Sequence, residues 1–183
     1  IVSLEQAIKE DLPGPTVPLQ ASNPSFDAGF GRAMASSGES LVVGAKDEGG
    51  SGAAYVFVRN GATWSQQAYL KASNMESGDG FGMSVGISDD TIIVGAPGED
   101  SGATGLNGNQ SDNGASGAGA AYLFVRSGNV WTQQAYVKAS NSAAADGFGT
   151  SVAISGDILV IGAPGEDSNA TGSNGSQSNN TAA

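Results

Sequence analysis

Short runs of apolar residues, each bounded by a turn signal, recur along the chain and set its organisation. Residues 81–87 and 91–94 predict two strands joined by the tight turn Ser88-Asp89-Asp90. Residues 120–126 and 130–138 predict two more. Within them, 121–125 and 131–136 are read as alternating, large apolar side chains against small or polar ones, as half-buried strands require. Asn60-Gly61 and Ser127-Gly128 supply the glycine that a two-residue hairpin favours. The expectation is a four-stranded antiparallel meander of short strands.

This unit repeats. Residues 79–97 return almost unchanged as 146–164, and a weaker copy spans 28–45. Strands at 53–59 and 63–71 match 120–126 and 130–138. Phe30 and Phe81 lie 51 residues apart, Phe81 and Phe148 lie 67 apart, and the difference falls in one loop, within 101–117, rich in Gly, Asn, Ser, Ala and Asp. The third copy carries strands at 148–154 and 158–161, opens the same loop at Ser168, and has no third or fourth strand. Repetition at a period of this length signals an array of similar supersecondary units.

Composition narrows the function. Seven Lys and Arg stand against 18 Asp and Glu, a formal charge of −11. That argues against nucleic acid and anionic membrane surfaces as partners. No Cys or His is present, which excludes thiol chemistry, disulfides, His-liganded metals and Ser-His or Cys-His nucleophiles. No apolar run is long enough to span a membrane as a helix. The first residue is Ile1, read as processing or as a fragment of a longer chain. Ser3-Leu4-Glu5-Gln6 has the form of a helix capping box, ended at Pro13-Gly14-Pro15, so a helix of barely two turns is expected there.

A four-stranded repeat with Phe-Gly opening its first strand and Gly-Ala-Pro closing its second resembles the FG-GAP repeat. That family builds the β-propeller of integrin α-subunits and of bacterial and archaeal surface proteins. The carrying residues are Phe81-Gly82 with Gly95-Ala96-Pro97, and Phe148-Gly149 with Gly162-Ala163-Pro164. The first copy keeps Phe30-Gly31 and Gly44-Ala45, with Lys46 in place of Pro. The resemblance implies an all-β chain of propeller blades, secreted or on a cell surface. Its division would be an arm with a short helix and one orphan outer strand (1–25), blade 1 (26–74), blade 2 with the long loop (75–141) and half-blade 3 (142–183). Integrin-like members carry a calcium cage between the first two strands. Here that turn is only Ser37-Gly38-Glu39, Ser88-Asp89-Asp90 or Ser155-Gly156-Asp157, too short for the six to eight oxygens calcium takes.

Other candidate sites lie in the long loops. Glu99 and Asp100 with Asn107, Asn109 and Asp112, and Glu166 and Asp167 with Asn169 and Asn174, could form a calcium site, weighed against plain turn-forming acidic loops. No other cofactor is expected. Sequons for glycosylation stand at Asn109, Asn169, Asn174 and Asn179. Each carboxylate recurs with the repeat, so none is singled out for catalysis and no catalytic residue is assigned. Trp64, Trp131, Tyr55, Tyr69, Tyr122 and Tyr136 recur at matching places and are read as packing between sheets rather than as a sugar-stacking surface.

The strand count leaves both ends open. Val17, Leu19 and Ala21, in a segment resembling 69–74 and 136–141, are read as an assembly strand. Phe148, Val152, Ile154, Leu159 and Ile161 are read as the half-blade it joins on another copy. The expected function is a non-catalytic extracellular structural or adhesive protein, assembling head to tail into a ring or filament. The alternatives are a surface adhesion module whose long loops bind a protein or glycan ligand, with calcium, or a fragment of a longer propeller.

Overall fold

The structure, a computed structural model, describes residues 18–23, 25 and 27–168. The capping-box segment and Val17 lie outside them. Among the described residues ten strands form three antiparallel sheets. The first holds β1 (Ala33–Ser37), β2 (Ser40–Ala45), β3 (Ala53–Asn60) and β4 (Thr63–Leu70), and the second β5 (Ser84–Ser88), β6 (Thr91–Ala96), β7 (Ala120–Ser127) and β8 (Val130–Val137). The third has only β9 (Ser151–Ser155) and β10 (Ile158–Gly162). Each four-stranded sheet is a meander in chain order. The sheets stack with β1 against β5 and β5 against β9, the arrangement of propeller blades.

The two-residue turns hold as expected. Ser37 pairs with Ser40, Ser88 with Thr91 and Ser155 with Ile158, each across two residues. Asp89 adopts φ 50° where the other copies place Gly38 and Gly156. Turns this tight leave no room for a cation cage.

Two details of the sequence reading change. The first strand of each unit begins three residues after its Phe, at Ser84 and Ser151, because the Phe-Gly pair serves as an inter-sheet contact. Phe81 and Phe148 make isolated parallel bridges with Gly52 and Gly119 of the preceding sheet, and their N–H groups donate to Ser51 O and Ala118 O at 3.0 Å. Nor does the fourth strand alternate simply. Trp131 and Tyr136 are five residues apart, an odd spacing that places them on opposite faces of a regular strand. The register shifts between Leu123 and Phe124, so that Phe124 pairs with Gln133 and Leu123 with Ala135, leaving Gln134 as the extra residue of a bulge. Trp131 and Tyr136 thereby enter the same core. The same irregularity falls at Gln67 in β4.

That core lies between the first two sheets. Val42, Val56, Leu70 and Ala72 from one side meet Phe81, Val85, Ile92, Val94, Tyr122, Phe124, Trp131 and Tyr136 from the other. The family-type glycines permit this approach. A Cβ on Gly44 would stand 2.0 Å from Gly82 O, and one on Gly95 would stand 2.0 Å from Gly149 O, so backbone rests on backbone at both sheet junctions. No helix among the described residues is long and apolar enough to cross a membrane.

Candidate functional site

The acidic residue after each Gly-Ala pair organises the loop end of its sheet. In the second sheet Glu99 is 2% exposed. Its carboxylate accepts from Lys138 Nζ at 2.7 Å, Tyr136 Oη at 2.8 Å, Asn74 Nδ2 at 3.0 Å and the Ser101 N–H at 3.2 Å. Tyr122 Oη donates to Asn74 Oδ1 at 2.8 Å, closing a network that spans both sheets. Burial, reinforced by the Glu99 charge, holds the Tyr122 hydroxyl far above the ordinary phenol range. Burial likewise raises Tyr136.

The first sheet has the same parts in a looser form. Glu48 is buried and accepts from Ser25 Oγ at 2.9 Å, while Lys71 Nζ turns to Glu48 O, Ser51 Oγ and Gly52 O. Burial, beside the Glu48 charge, pushes the Tyr55 hydroxyl up to about 12. In the third sheet Glu166 accepts from Asn141 Nδ2 at 2.7 Å, from the Ser168 N–H at 3.0 Å and from Ser168 Oγ at 3.1 Å. No Lys or Arg pairs with Glu166 among the described residues.

The long loop is a strap across two sheets. Asn107 forms a two-way bond with the outer strand, its N–H donating to Tyr136 O at 2.8 Å and its Oδ1 accepting from Tyr136 N at 2.9 Å. Gln110 and Asn113 reach back to Ser73 and Glu76 of the preceding unit. Of the expected calcium ligands, Glu99 is taken by Lys138, Tyr136 and Asn74 and Asn107 by Tyr136, while the other three hold backbone of their own loop. Asp100 Oδ1 accepts from Gly117 N, Asn109 Oδ1 from Ser111 N, and Asp112 Oδ1 from Gly114 N. Among the described residues no three acidic side chains gather in a group that could hold a metal ion. Asn109 is exposed, while Asn169, Asn174 and Asn179 lie outside the described residues. Asp167 is exposed.

The ends of the array hold the open surfaces. Alternation along β9 and β10, with Ile161 opposite Val152 and Leu159 opposite Ile154, puts these four side chains on one face. That face meets the second sheet, where Ile154 lies against Gly86. Phe148 joins the same junction through its bridge to Gly119. The free face is the opposite one, carrying Ala153, Ile158 and Val160. Ile158 and Val160 are 68% and 61% exposed, whereas Val42 and Ile93, the counterparts of Val160 in the two complete sheets, are both 0%.

At the other end, residues 18–23 are not a strand. They correspond to the tail that leaves the outer strand in each complete sheet, since β4 already ends at Leu70. Leu19 and Ala21 pack on a second core of Val43, Tyr55 and Phe57, as Leu70 and Ala72 pack in the first. Ser22 N donates to Gln66 Oε1 at 2.9 Å, and Ser73 N donates to Gln133 Oε1 at 3.1 Å. These latches, with Trp131 Nε1 donating to Gln67 Oε1 at 2.8 Å, escaped the sequence reading. Their signal was the recurrence of Trp-x-Gln-Gln at 64–67 and 131–134 and of Ala-Ser-Asn at 21–23, 72–74 and 139–141.

A family model for the FG-GAP repeat matches the chain three times, at residues 16–57, 64–124 and 131–178. The second and third matches each begin in an outer strand, β4 or β8, and run through the inner strands of the next sheet. A search of curated proteins found no match.

Proposed function

The chain belongs to the FG-GAP repeat family, and on that premise we propose that it is a non-catalytic structural or adhesive module of the extracellular space that assembles with copies of itself. FG-GAP repeats typically occur in extracellular or surface proteins. The observation that carries the assembly reading is the free face of β9–β10. Val160, whose counterparts Val42 and Ile93 are fully buried in the two complete sheets, stands 61% exposed there among the described residues. An exposed apolar strand with unpaired backbone on its edge favours addition of further sheet. A structural role also fits Glu99, whose buried carboxylate is taken up by Lys138, Tyr136 and Asn74. Binding of a protein or glycan ligand by the 101–117 strap is a second reading that its bonding favours less, since Asn107, Gln110 and Asn113 are engaged with Tyr136, Ser73 and Glu76, and Asn109 and Asp112 with the strap's own backbone.

Light scattering and negative-stain microscopy of the purified chain test the proposal. Rings or fibres are the expected result. A monodisperse monomer at all concentrations overturns it.

A further inference from the structure

We propose that Lys138 and Asn74 join in an intramolecular isopeptide bond, with Glu99 as the acid–base group between them and ammonia as the leaving group. The observation is that one buried carboxylate holds both reactants. Glu99 Oε2 accepts from Lys138 Nζ at 2.7 Å, and Glu99 Oε1 accepts from Asn74 Nδ2 at 3.0 Å. Tyr136 Oη and the Ser101 N–H fix the same carboxylate in place. The Lys138 and Glu99 side chains are almost wholly buried, which closes the pair to solvent. Tyr122 Oη donates to Asn74 Oδ1 at 2.8 Å, where negative charge develops once the amide carbon is attacked. Burial and the Glu99 charge keep that hydroxyl protonated. Amine, base, amide and oxyanion donor thus lie on one hydrogen-bonded path.

The step balances within these groups. Lys138 Nζ, as the ammonium, gives one proton to Glu99 and becomes a neutral amine. Its lone pair attacks Asn74 Cγ, forming the N–C bond and moving the carbonyl electrons onto Oδ1 beside Tyr122. Glu99 passes its proton to Asn74 Nδ2 and takes a second one from Nζ. When the electrons on Oδ1 return, the Cγ–Nδ2 bond breaks and ammonia leaves. The products are a secondary amide, ammonia and a protonated Glu99 carboxyl, with no oxidant, reductant or cofactor consumed. Holding both reactants on one carboxylate supplies the proximity that an unactivated amide otherwise lacks. Asn74 also lines an open cleft of about 460 Å³ with Ser73, Glu76, Gln110 and Ser111, which gives ammonia a way out.

The repeats supply an internal contrast. Lys71 Nζ, the counterpart of Lys138, bonds to Glu48 O, Ser51 Oγ and Gly52 O rather than to the Glu48 carboxylate. Glu166 keeps its asparagine, Asn141, but pairs with no Lys among the described residues. One bond is therefore expected in each chain, at one place. It clamps the segment after β4 to the segment after β8, across the junction of the first two sheets. The reaction happens once per chain, without turnover, and does not depend on self-assembly.

Intact mass spectrometry of the purified full chain under denaturing conditions tests this. The expected mass lies below the sequence mass by one ammonia, about 17 Da. Tandem spectra of a digest are expected to contain one branched peptide that joins Asn74 to Lys138. N74A, K138M and E99Q are each expected to show the mass of their own sequence, with circular dichroism confirming that each is folded. The wild-type branched peptide decides the bond itself, whatever the variants do. A wild-type chain at its sequence mass, or about 1 Da above it through hydrolysis of Asn74, overturns the proposal. So does an ammonia loss that persists in N74A or K138M, since it then comes from elsewhere, such as a succinimide at Asn113-Gly114. A bond that forms in folded E99Q overturns the role given to Glu99.

Discussion

Lys138 Nζ lies 2.7 Å from Glu99 Oε2, with the two side chains 0% and 2% exposed. The pair ties the outer strand β8 to the loop after β6, and Asn74 carries the tie into the preceding sheet. Removing one partner strands a buried charge, a cost of about 3–5 kcal/mol. Lys138→Met is expected to lower unfolding stability by that amount in chemical denaturation. Adding Glu99→Gln to it should recover part of the loss, since the stranded charge is then gone.

Glycine at the sheet junctions is demanded by backbone contact rather than by a turn. A Cβ at Gly95 would meet Gly149 O at 2.0 Å and Ser84 Oγ at 2.3 Å. Gly95→Ala must push the second and third sheets apart and is expected to cost about 3 kcal/mol or more in the same measurement. Gly61→Ala tests the contrast. No atom lies near its Cβ, so only the strain of φ 60° is felt, about 1 kcal/mol.

Asp79 supplies a pH dependence. Burial, aided by the charges of Glu99, Glu76 and Asp100, pushes its carboxyl up to about 6, against the partial relief of the bond from Glu76 N. The folded chain therefore binds this proton more tightly than the unfolded chain does. Stability from this group is greatest below about pH 4, falls as pH rises to about 6, and stays lost above it. Asp79→Asn is expected to raise stability at pH 7 by on the order of 2 kcal/mol. Near pH 4 the difference should disappear, a comparison that denaturation at pH 4, 5, 6 and 7 makes directly.

Calcium is expected to leave thermal stability unchanged. The acceptor atoms of Asp100, Asn109 and Asp112 each hold a backbone N–H of their own loop. Binding a cation would require those bonds to be given up. Melting curves with millimolar calcium and with a chelator test this, and a rise of several degrees would restore the loop as a metal site.

The sheets were legible because each strand keeps its apolar run and each hairpin its two-residue turn. Repetition then fixed which strands belong together. The loop end was harder to read. Glu99 and Asp100 stand next to each other in a Gly-rich acidic loop, and nothing local distinguishes them. Only the fold brings Lys138, nearly forty residues later, onto Glu99 while leaving Asp100 to its own loop. Which face of the half-blade is uncovered was hidden for a related reason. Val152, Ile154, Leu159 and Ile161 are the larger apolar set, but the stacking of sheets turns that set inward and leaves Ile158 and Val160 outside. A strand that is apolar on both faces gives no sign of which face meets the next sheet.

Native mass measurement over a range of protein concentrations tests the central claim most directly. The account predicts a ladder of multiples of the chain that grows with concentration, and a collapse toward the single chain when Val160 is replaced by Asp. A single-chain mass at every concentration would contradict it.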